Sequence, residues 1–132
     1  MNMIKIKRYW LSILATIGIV VICLIPLPKF PKLADVPLWD KWVHFVMYGV
    51  LCTVYWIDYH RHGHSNKQTK KWLLWIVAVP MAIGGLVEIA QGTLTPNRNG
   101  DWIDFLANCI GVLLALPIGL FIIPRFCKRL YN

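Results

Sequence analysis

Four long runs of apolar residues constrain this chain more than any other feature of its sequence. They cover approximately residues 9–25, 39–57, 72–91 and 102–123. Each run has about 17 to 22 residues, and a helix of that length, rising about 1.5 Å per residue, crosses a hydrocarbon core of about 30 Å. We therefore expect an all-α integral membrane protein in which residues 1–132 form one domain, a bundle of four transmembrane helices.

The composition supports this expectation. Hydrophobic residues make up 58% of the chain and charged residues 15%, whereas a soluble domain has about 25% charged residues. A soluble fold of this size buries only part of its surface and would leave much of this apolar area in water. The four cysteines contain no C-x-x-C pair, which argues against a disulfide framework and a zinc site. The first run lacks a small-x-small cleavage site and is expected to remain as an uncleaved helix.

The basic residues are distributed unevenly between the segments that flank the four runs. Ten of the 14 lie before the first run, between the second and third, or after the fourth: Lys5, Lys7, Arg8, Arg61, Lys67, Lys70, Lys71, Arg125, Lys128 and Arg129. Cytoplasmic loops carry the excess of Lys and Arg in membrane proteins. This pattern predicts a bacterial cytoplasmic (inner) membrane protein with both termini in the cytoplasm, so the net charge of +8 needs no nucleic-acid partner.

Three of the four runs carry polar residues on a single helical face. Asp40 and His44 are one turn apart, and a helix would align Gly84, Glu88 and Gln91 in the same way. In the fourth run the polar and small positions advance by three and four: Asp101, Asp104, Asn108, Gly111 and Ala115. Ionisable residues within membrane segments are costly and commonly functional or paired. We expect the three faces to meet in a polar pocket near the outer leaflet, with Lys41 and Arg98 at its rim.

These motifs resemble the VanZ-like family of bacterial membrane proteins over approximately residues 40–111. The resemblance rests on three motifs in order: Asp40-Lys41-x-x-His44, Glu88-x-x-Gln91, and Arg98-x-x-Asp101-x-x-Asp104-x-x-x-Asn108-x-x-Gly111. The family is named for a protein that confers low-level resistance to teicoplanin, a glycopeptide with a lipid tail. The resemblance implies a cell-envelope role at the outer face of the membrane, and it does not supply an established reaction.

Binding of an amphiphile is the first functional hypothesis, with a lipid-linked cell-wall precursor or a lipidated antibiotic as the ligand. The candidate ligand-binding residues are Lys41, His44, Glu88, Gln91, Arg98, Asp101, Asp104 and Asn108. Arg98 and Lys41 would hold phosphate or carboxylate groups, Arg98 through its bidentate guanidinium. No cofactor is predicted, and the pattern identifies no dedicated metal site.

A hydrolase or transferase that acts on a phospholipid or polyprenyl phosphate is the second hypothesis. The candidate catalytic residues are His44, Asp40, Glu88 and Asp104. His44 has a pKa suited to acid–base chemistry, and Glu88 and Asp104 could share a proton or, with His44, hold a divalent cation. No serine or cysteine nucleophile stands near these residues, so the chemistry would need activated water or a histidine intermediate.

The third hypothesis is a passive partner of the machinery that synthesises the envelope. In that case buried ion pairs such as Glu88–Arg98 would only tie short helices together.

The histidines in the sequence His60-Arg61-His62-Gly63-His64 could bind a transition metal. Without cysteine or acidic partners, however, the pattern is more typical of a solvated loop.

Overall fold

A computed structural model describes residues 9–25, 37–62, 69–94 and 100–131 of the chain. These residues are helical apart from short ends, and they contain no β-strand. The helices are α1 (Trp10–Leu24), α2 (Trp39–Arg61), α3 (Thr69–Leu94), α4 (Trp102–Pro117) and α5 (Ile123–Tyr131). A π-helical turn, Ile118–Ile122, joins α4 to α5, so the two helices form one long rod. The predicted all-helical class is confirmed, and each apolar run coincides with one helix or rod.

Two of these elements are long and apolar enough to cross a membrane, namely Lys70–Leu94 and Trp102–Arg129. Only 28% and 33% of their most apolar stretches are buried inside the protein, unlike the core helix of a soluble domain. Large side chains such as Leu74, Leu86 and Phe121 point outward with more than half of their surface exposed. Helix α1 is apolar but has 15 residues, and α2 has 23 residues with a more polar composition.

Helix α2 is the centre of the bundle, and its most extensive contact is with α4. The two helices cross where Gly49 faces Gly111, and both lack a side chain that would hold the backbones apart. A methyl group at Gly111 would overlap the carbonyl oxygen of Phe45, so only glycine permits this approach. Small residues are the usual means by which membrane helices pack closely. The crossing therefore fixes the polar faces of α2 and α4 against each other.

Side chains of α2 also compensate for prolines in the neighbouring helices. Pro80 has no N–H to donate to Ile76 one turn earlier in α3, and the Cys52 thiol lies 3.8 Å from that carbonyl oxygen. In the π-helical turn the carbonyl of Gly119 would pair with residue 124, which is also a proline. His60 Nε2 lies 3.0 Å from the Gly119 oxygen and supplies the missing donor. Both substitutes come from α2 and satisfy carbonyl oxygens that the prolines leave without a helical donor.

The chain enters α2 through a strained residue. Leu38 precedes the helix with φ of 58°, in the left-handed region, and its side chain is 62% exposed. This conformation costs a non-glycine residue about 1–2 kcal/mol. The strain lies two residues before Asp40, at the same end of the bundle as the predicted polar pocket.

Candidate functional site

The beginning of α2, the end of α3 and the beginning of α4 lie together at one end of the bundle, which we call the pocket end. This arrangement follows from the up-and-down order of the three helices. It brings together six polar side chains that we call the polar cluster: Lys41, His44, Glu88, Asp101, Asp104 and Asn108. The sequence predicted each of them as a site residue. Their proximity is now a structural observation, whereas their role in ligand binding stays a prediction.

Three members of the polar cluster form its buried centre. The side chains of His44, Glu88 and Asp104 are 8%, 7% and 11% exposed. Each comes from a different helix, and one ligand atom of each lies within 4.8 Å of the other two. His44 Nδ1 is 3.6 Å from Glu88 Oε1, and His44 Nε2 is 3.9 Å from Asp104 Oδ2. We refer to these three residues as the triad.

Asn108 orients the imidazole of the triad. Its Oδ1 atom lies 3.1 Å from His44 Nδ1, and both side chains are buried. An amide oxygen only accepts, so this hydrogen bond requires the proton on Nδ1 and, in the neutral ring, leaves the lone pair on Nε2. The Nε2 lone pair then faces Asp104. Asn108 follows Asp104 by one turn of α4, so both side chains can contact the imidazole ring of His44.

Lys41 neutralises part of the negative charge at the edge of the cluster. Its Nζ atom lies 2.6 Å from Asp40 Oδ2 and 2.9 Å from carboxylate oxygens of both Asp101 and Asp104. The ammonium group therefore contacts three carboxylates of this chain. An anionic ligand would have to compete with them for Lys41. Asp40 is the most exposed of the three, with 57% of its side chain accessible, so it marks the outer edge of the site.

Asp101 links the start of α4 to α2 and α3. Its Oδ1 accepts from the N–H of Ile103, as an N-cap does, and its own N–H donates to Glu88 Oε2 at 3.1 Å. The hydrogen bond from Lys41 and that from Ile103 hold the pKa of the Asp101 carboxyl below its ordinary value of 3.8. Gly100 packs so closely on the carbonyl of Glu88 that any side chain there would overlap it.

Two buried polar atoms extend the site toward the middle of the bundle. Asn108 Nδ2 and the hydroxyl of Tyr48 have no hydrogen-bond partner within the described ranges. Both side chains border Gly84, because a methyl group there would approach each of them to 3.1–3.2 Å. Gly84 thus leaves room beside two unsatisfied polar groups.

The remaining predicted residues lie elsewhere or outside the described ranges. Gln91 is buried, and its Nε2 donates to the carbonyl oxygen of Cys23 at 2.8 Å, which ties α3 to the end of α1. Arg98 lies outside the described residues, so the ion pair between Glu88 and Arg98 stays a prediction. His60 and His62 contact the backbone oxygens of Gly119 and Asp58, and His64 lies outside the described residues.

Sequence reasoning missed a second polar contact at the opposite end of α2. Asp58 is fully buried, and its Oδ2 accepts from the backbone N–H and the hydroxyl of Ser12, at 2.8 and 2.7 Å. Arg61 Nη1 lies 4.0 Å from the other carboxylate oxygen. Ser12 stands in the first turn of α1, where backbone N–H groups lack helical partners. A lone aspartate near the end of an apolar run is the signal that could have predicted this contact.

Comparisons with known proteins identify no relative of this chain: no protein-family model matches it, and neither a curated protein nor a solved structure does. The functional conclusion therefore rests on the site itself.

Proposed function

We propose that this chain is a VanZ-like multi-pass membrane protein of the bacterial cell envelope that binds the polar part of an amphiphilic or lipid-linked ligand. The observation that supports this most directly is the triad. Three ionisable side chains from three helices are buried at one end of a bundle whose outer surface is apolar. Burial of charge is costly, and within membrane segments such groups more often mark a site than a simple staple.

The proposed membrane arrangement has four spans, with α1 and α2 added to the two helices that qualify by length and composition. The apolar residues exposed on α1, for example Leu14 and Ile17, favour contact with lipid. Both termini face the cytoplasm in this arrangement, since the basic segments then lie inside. The polar cluster consequently faces the outer leaflet, where lipid-linked precursors and lipidated antibiotics of the teicoplanin type are exposed.

The electrostatics of the cluster restrict how an anionic head group is held. Lys41 already contacts three carboxylates, and the triad adds a further acidic residue, Glu88. In our proposal Arg98 supplies the bidentate contact to phosphate or carboxylate. Asn108 Nδ2 and the Tyr48 hydroxyl are unsatisfied within the described ranges and offer donors for sugar or amide groups.

Catalysis is the second candidate function, and one observation favours it. His44 lies between Glu88 and Asp104, and the hydrogen bond to Asn108 leaves Nε2 available as a base in the neutral ring. A hydrolase or transferase acting on a phospholipid or polyprenyl phosphate would use such a base to activate water. Within the described ranges, His44 forms no hydrogen bond with a serine or a cysteine.

Native mass spectrometry of the purified protein tests both candidates. The protein is incubated with polyprenyl phosphates, polyprenyl pyrophosphates and phospholipids, and retained or newly formed masses are identified. A binding protein retains one lipid class unchanged and loses it in Arg98→Ala, while Arg125→Ala on α5 removes the same charge far from the cluster and keeps it. An enzyme forms a product mass that disappears in His44→Gln and persists in His62→Gln.

Retention of the same lipids by Arg98→Ala and by triad variants would contradict a binding role for the cluster. Absence of both retained lipid and product across the panel would favour the third hypothesis, a passive partner of envelope machinery. That hypothesis also predicts that Asp104→Asn and Glu88→Gln are tolerated in the cell.

A further inference from the structure

We infer that the triad of His44, Glu88 and Asp104 binds a divalent metal ion. The three residues contribute one imidazole nitrogen and two carboxylate oxygens, which lie within 4.8 Å of one another and come from α2, α3 and α4. All three residues are buried. The sequence analysis named no dedicated metal site and offered a divalent cation at these three residues only as an alternative to a shared proton; the residues are 44 and 16 positions apart in the sequence.

Two acceptor atoms of the triad, His44 Nε2 and Glu88 Oε1, have no hydrogen-bond donor among the described residues. With the proton on Nδ1, the Nε2 lone pair of His44 points toward Asp104 Oδ2 at 3.9 Å. Glu88 Oε1 is buried and has no hydrogen-bond partner among the described residues. A buried carboxylate oxygen without a donor is costly. A cation placed among these atoms would satisfy all of them at once.

The charge of the cluster leads to the same conclusion independently. Three carboxylates belong to the polar cluster, those of Glu88, Asp101 and Asp104, and that of Asp40 lies at its outer edge, whereas Lys41 contributes one positive charge. Even if the full charge of Arg98 is added, two negative charges remain. A divalent ion would balance them.

Groups around the triad hold each of its three residues in place, as hydrogen-bond partners of the ligands do in known metal sites. His44 is hydrogen-bonded to Asn108 through Nδ1, and Asp104 contacts Lys41 through its Oδ1 at 2.9 Å. Glu88 accepts from the N–H of Asp101 through its Oε2 at 3.1 Å. In each residue one polar atom is anchored while another faces the triad. Such contacts commonly fix the orientation of metal ligands and the tautomer of a ligating histidine.

The donor set favours a transition-metal dication, with Zn²⁺ as the best match. Mg²⁺ and Ca²⁺ prefer oxygen ligands, whereas an imidazole with two carboxylates suits Zn²⁺ and similar ions. Ligands of a tetrahedral Zn²⁺ at about 2.0–2.1 Å lie about 3.3 Å apart. The ligand atoms of the triad lie within 4.8 Å of one another, so a bound ion would draw them together by up to about 1.5 Å. Three protein ligands leave a coordination position for water or a phosphate oxygen, as in catalytic zinc sites.

The metal site deepens the proposed function, since a bound dication would attract the phosphate of a lipid-linked ligand into an acidic cluster. Only this role rests on the proposed function. Metal binding itself needs no lipid, so the two can fail separately.

The test is metal titration of the full-length protein purified in detergent and stripped with a chelator. Zn²⁺ is followed by calorimetry and by elemental analysis after gel filtration, and Co²⁺ by its visible absorption, which reports low coordination number. We expect one tight equivalent in the wild type. It should be lost in His44→Gln and Asp104→Asn and kept in His62→Gln and Asp58→Asn, which make the same chemical changes at the opposite end of α2.

Asn108→Ala gives a second measurement that does not remove a ligand. It should weaken metal binding by roughly 10- to 100-fold, the usual effect of losing an outer contact to a ligating histidine. If a variant does not yield folded protein, the Co²⁺ spectrum of the wild type decides on its own, since octahedral Co²⁺ absorbs only weakly.

Absence of a stoichiometric equivalent in the wild type would overturn the inference. An equivalent that persists in His44→Gln and Asp104→Asn would assign the metal to another site and overturn it as well. Lipid retention that is unaffected by chelator, in a protein that binds Zn²⁺ at the triad, would separate the metal from the proposed lipid site.

Discussion

The two ends of α2 carry buried carboxylates in opposite situations. At the pocket end, Glu88 and Asp104 surround a histidine whose free lone pair is a further acceptor, and acceptors outnumber the donors that reach them. At the other end, Asp58 receives two hydrogen bonds from Ser12 on Oδ2, while its Oδ1 has no hydrogen bond among the described residues and lies 4.0 Å from Arg61 Nη1. The single carboxylate there faces a guanidinium group, whereas three carboxylates at the pocket end share the ammonium group of Lys41.

This difference teaches how to separate structural from functional charge in a small bundle. Burial alone does not distinguish them, since Asp58 is more buried than any member of the triad. The ratio of carboxylates to nearby cations does, because a carboxylate with a cation of its own stabilises the fold, whereas an excess of buried carboxylates is tolerated for another reason. We therefore expect substitutions of Asp58 to reduce stability more than ligand binding. Substitutions in the triad should reduce ligand binding more than stability.

The largest effect on stability is expected for Asp58→Ala. It removes the acceptor for the N–H and hydroxyl of Ser12 and should lower the free energy of unfolding by about 2–4 kcal/mol. Asp58→Asn keeps one accepting oxygen and should cost about half as much. Unfolding by SDS in mixed micelles, followed by circular dichroism, measures both. A change below about 0.5 kcal/mol in Asp58→Ala would mean that the contact is not structural.

Lys41→Met is expected to lower stability by a smaller amount, about 1–2 kcal/mol. It leaves Asp101 and Asp104 without their ammonium partner, while the methionine retains the apolar stem of the side chain. The same SDS titration detects the loss. Added Zn²⁺ should restore part of it if the dication compensates the excess charge, and equal loss with and without Zn²⁺ would argue against that compensation.

Glu88→Gln, unlike the two previous substitutions, is not expected to lower the stability of the metal-free protein. It removes one negative charge from the cluster while retaining an acceptor for the N–H of Asp101, so we expect stability between unchanged and about 1 kcal/mol higher. Metal binding should be lost at the same time. A destabilisation of more than about 1 kcal/mol would place Glu88 in the same structural class as Asp58.

The smallest effect is expected for Asp101→Asn, because this side chain lies at the surface of the cluster. The lowered pKa of Asp101 means that its ionised form is preferred in the folded state. Its contribution is present above the ordinary value of 3.8 and is lost as the pH falls through the lowered folded value. The stability difference between wild type and variant should therefore shrink on acidification, and a difference that grows would contradict the Lys41–Asp101 contact.

The helical pattern made much of the pocket end predictable. Spacings of three and four place Asp40 and His44, and likewise Asp104 and Asn108, on one face of a helix. Antiparallel order then brings the beginning of α2, the end of α3 and the beginning of α4 to one end. Both rules can be applied to the sequence alone, and they explain why residues far apart in the sequence could be expected to meet in the triad.

Other features depend on side-chain partners that no periodic pattern specifies. Lys41 was expected to face a ligand, but three carboxylates of the chain itself contact it. The role of His60 depends on Pro124, because that proline removes the donor the Gly119 carbonyl would otherwise use. The contact of Asp58 was not predicted, since its partner Ser12 lies 46 residues earlier. Tertiary contacts of single residues decide these cases.

The Ser12–Asp58 contact has a consequence for the order in which the protein is assembled. During synthesis Ser12 is added to the chain 46 residues before Asp58, so the first turn of α1 has an N–H group and a hydroxyl whose acceptor in the folded protein does not yet exist. Water or another group must satisfy them until α2 is complete. Docking of α1 therefore waits for the far end of α2, and a nascent chain that ends before Asp58 should hold its first helix only loosely.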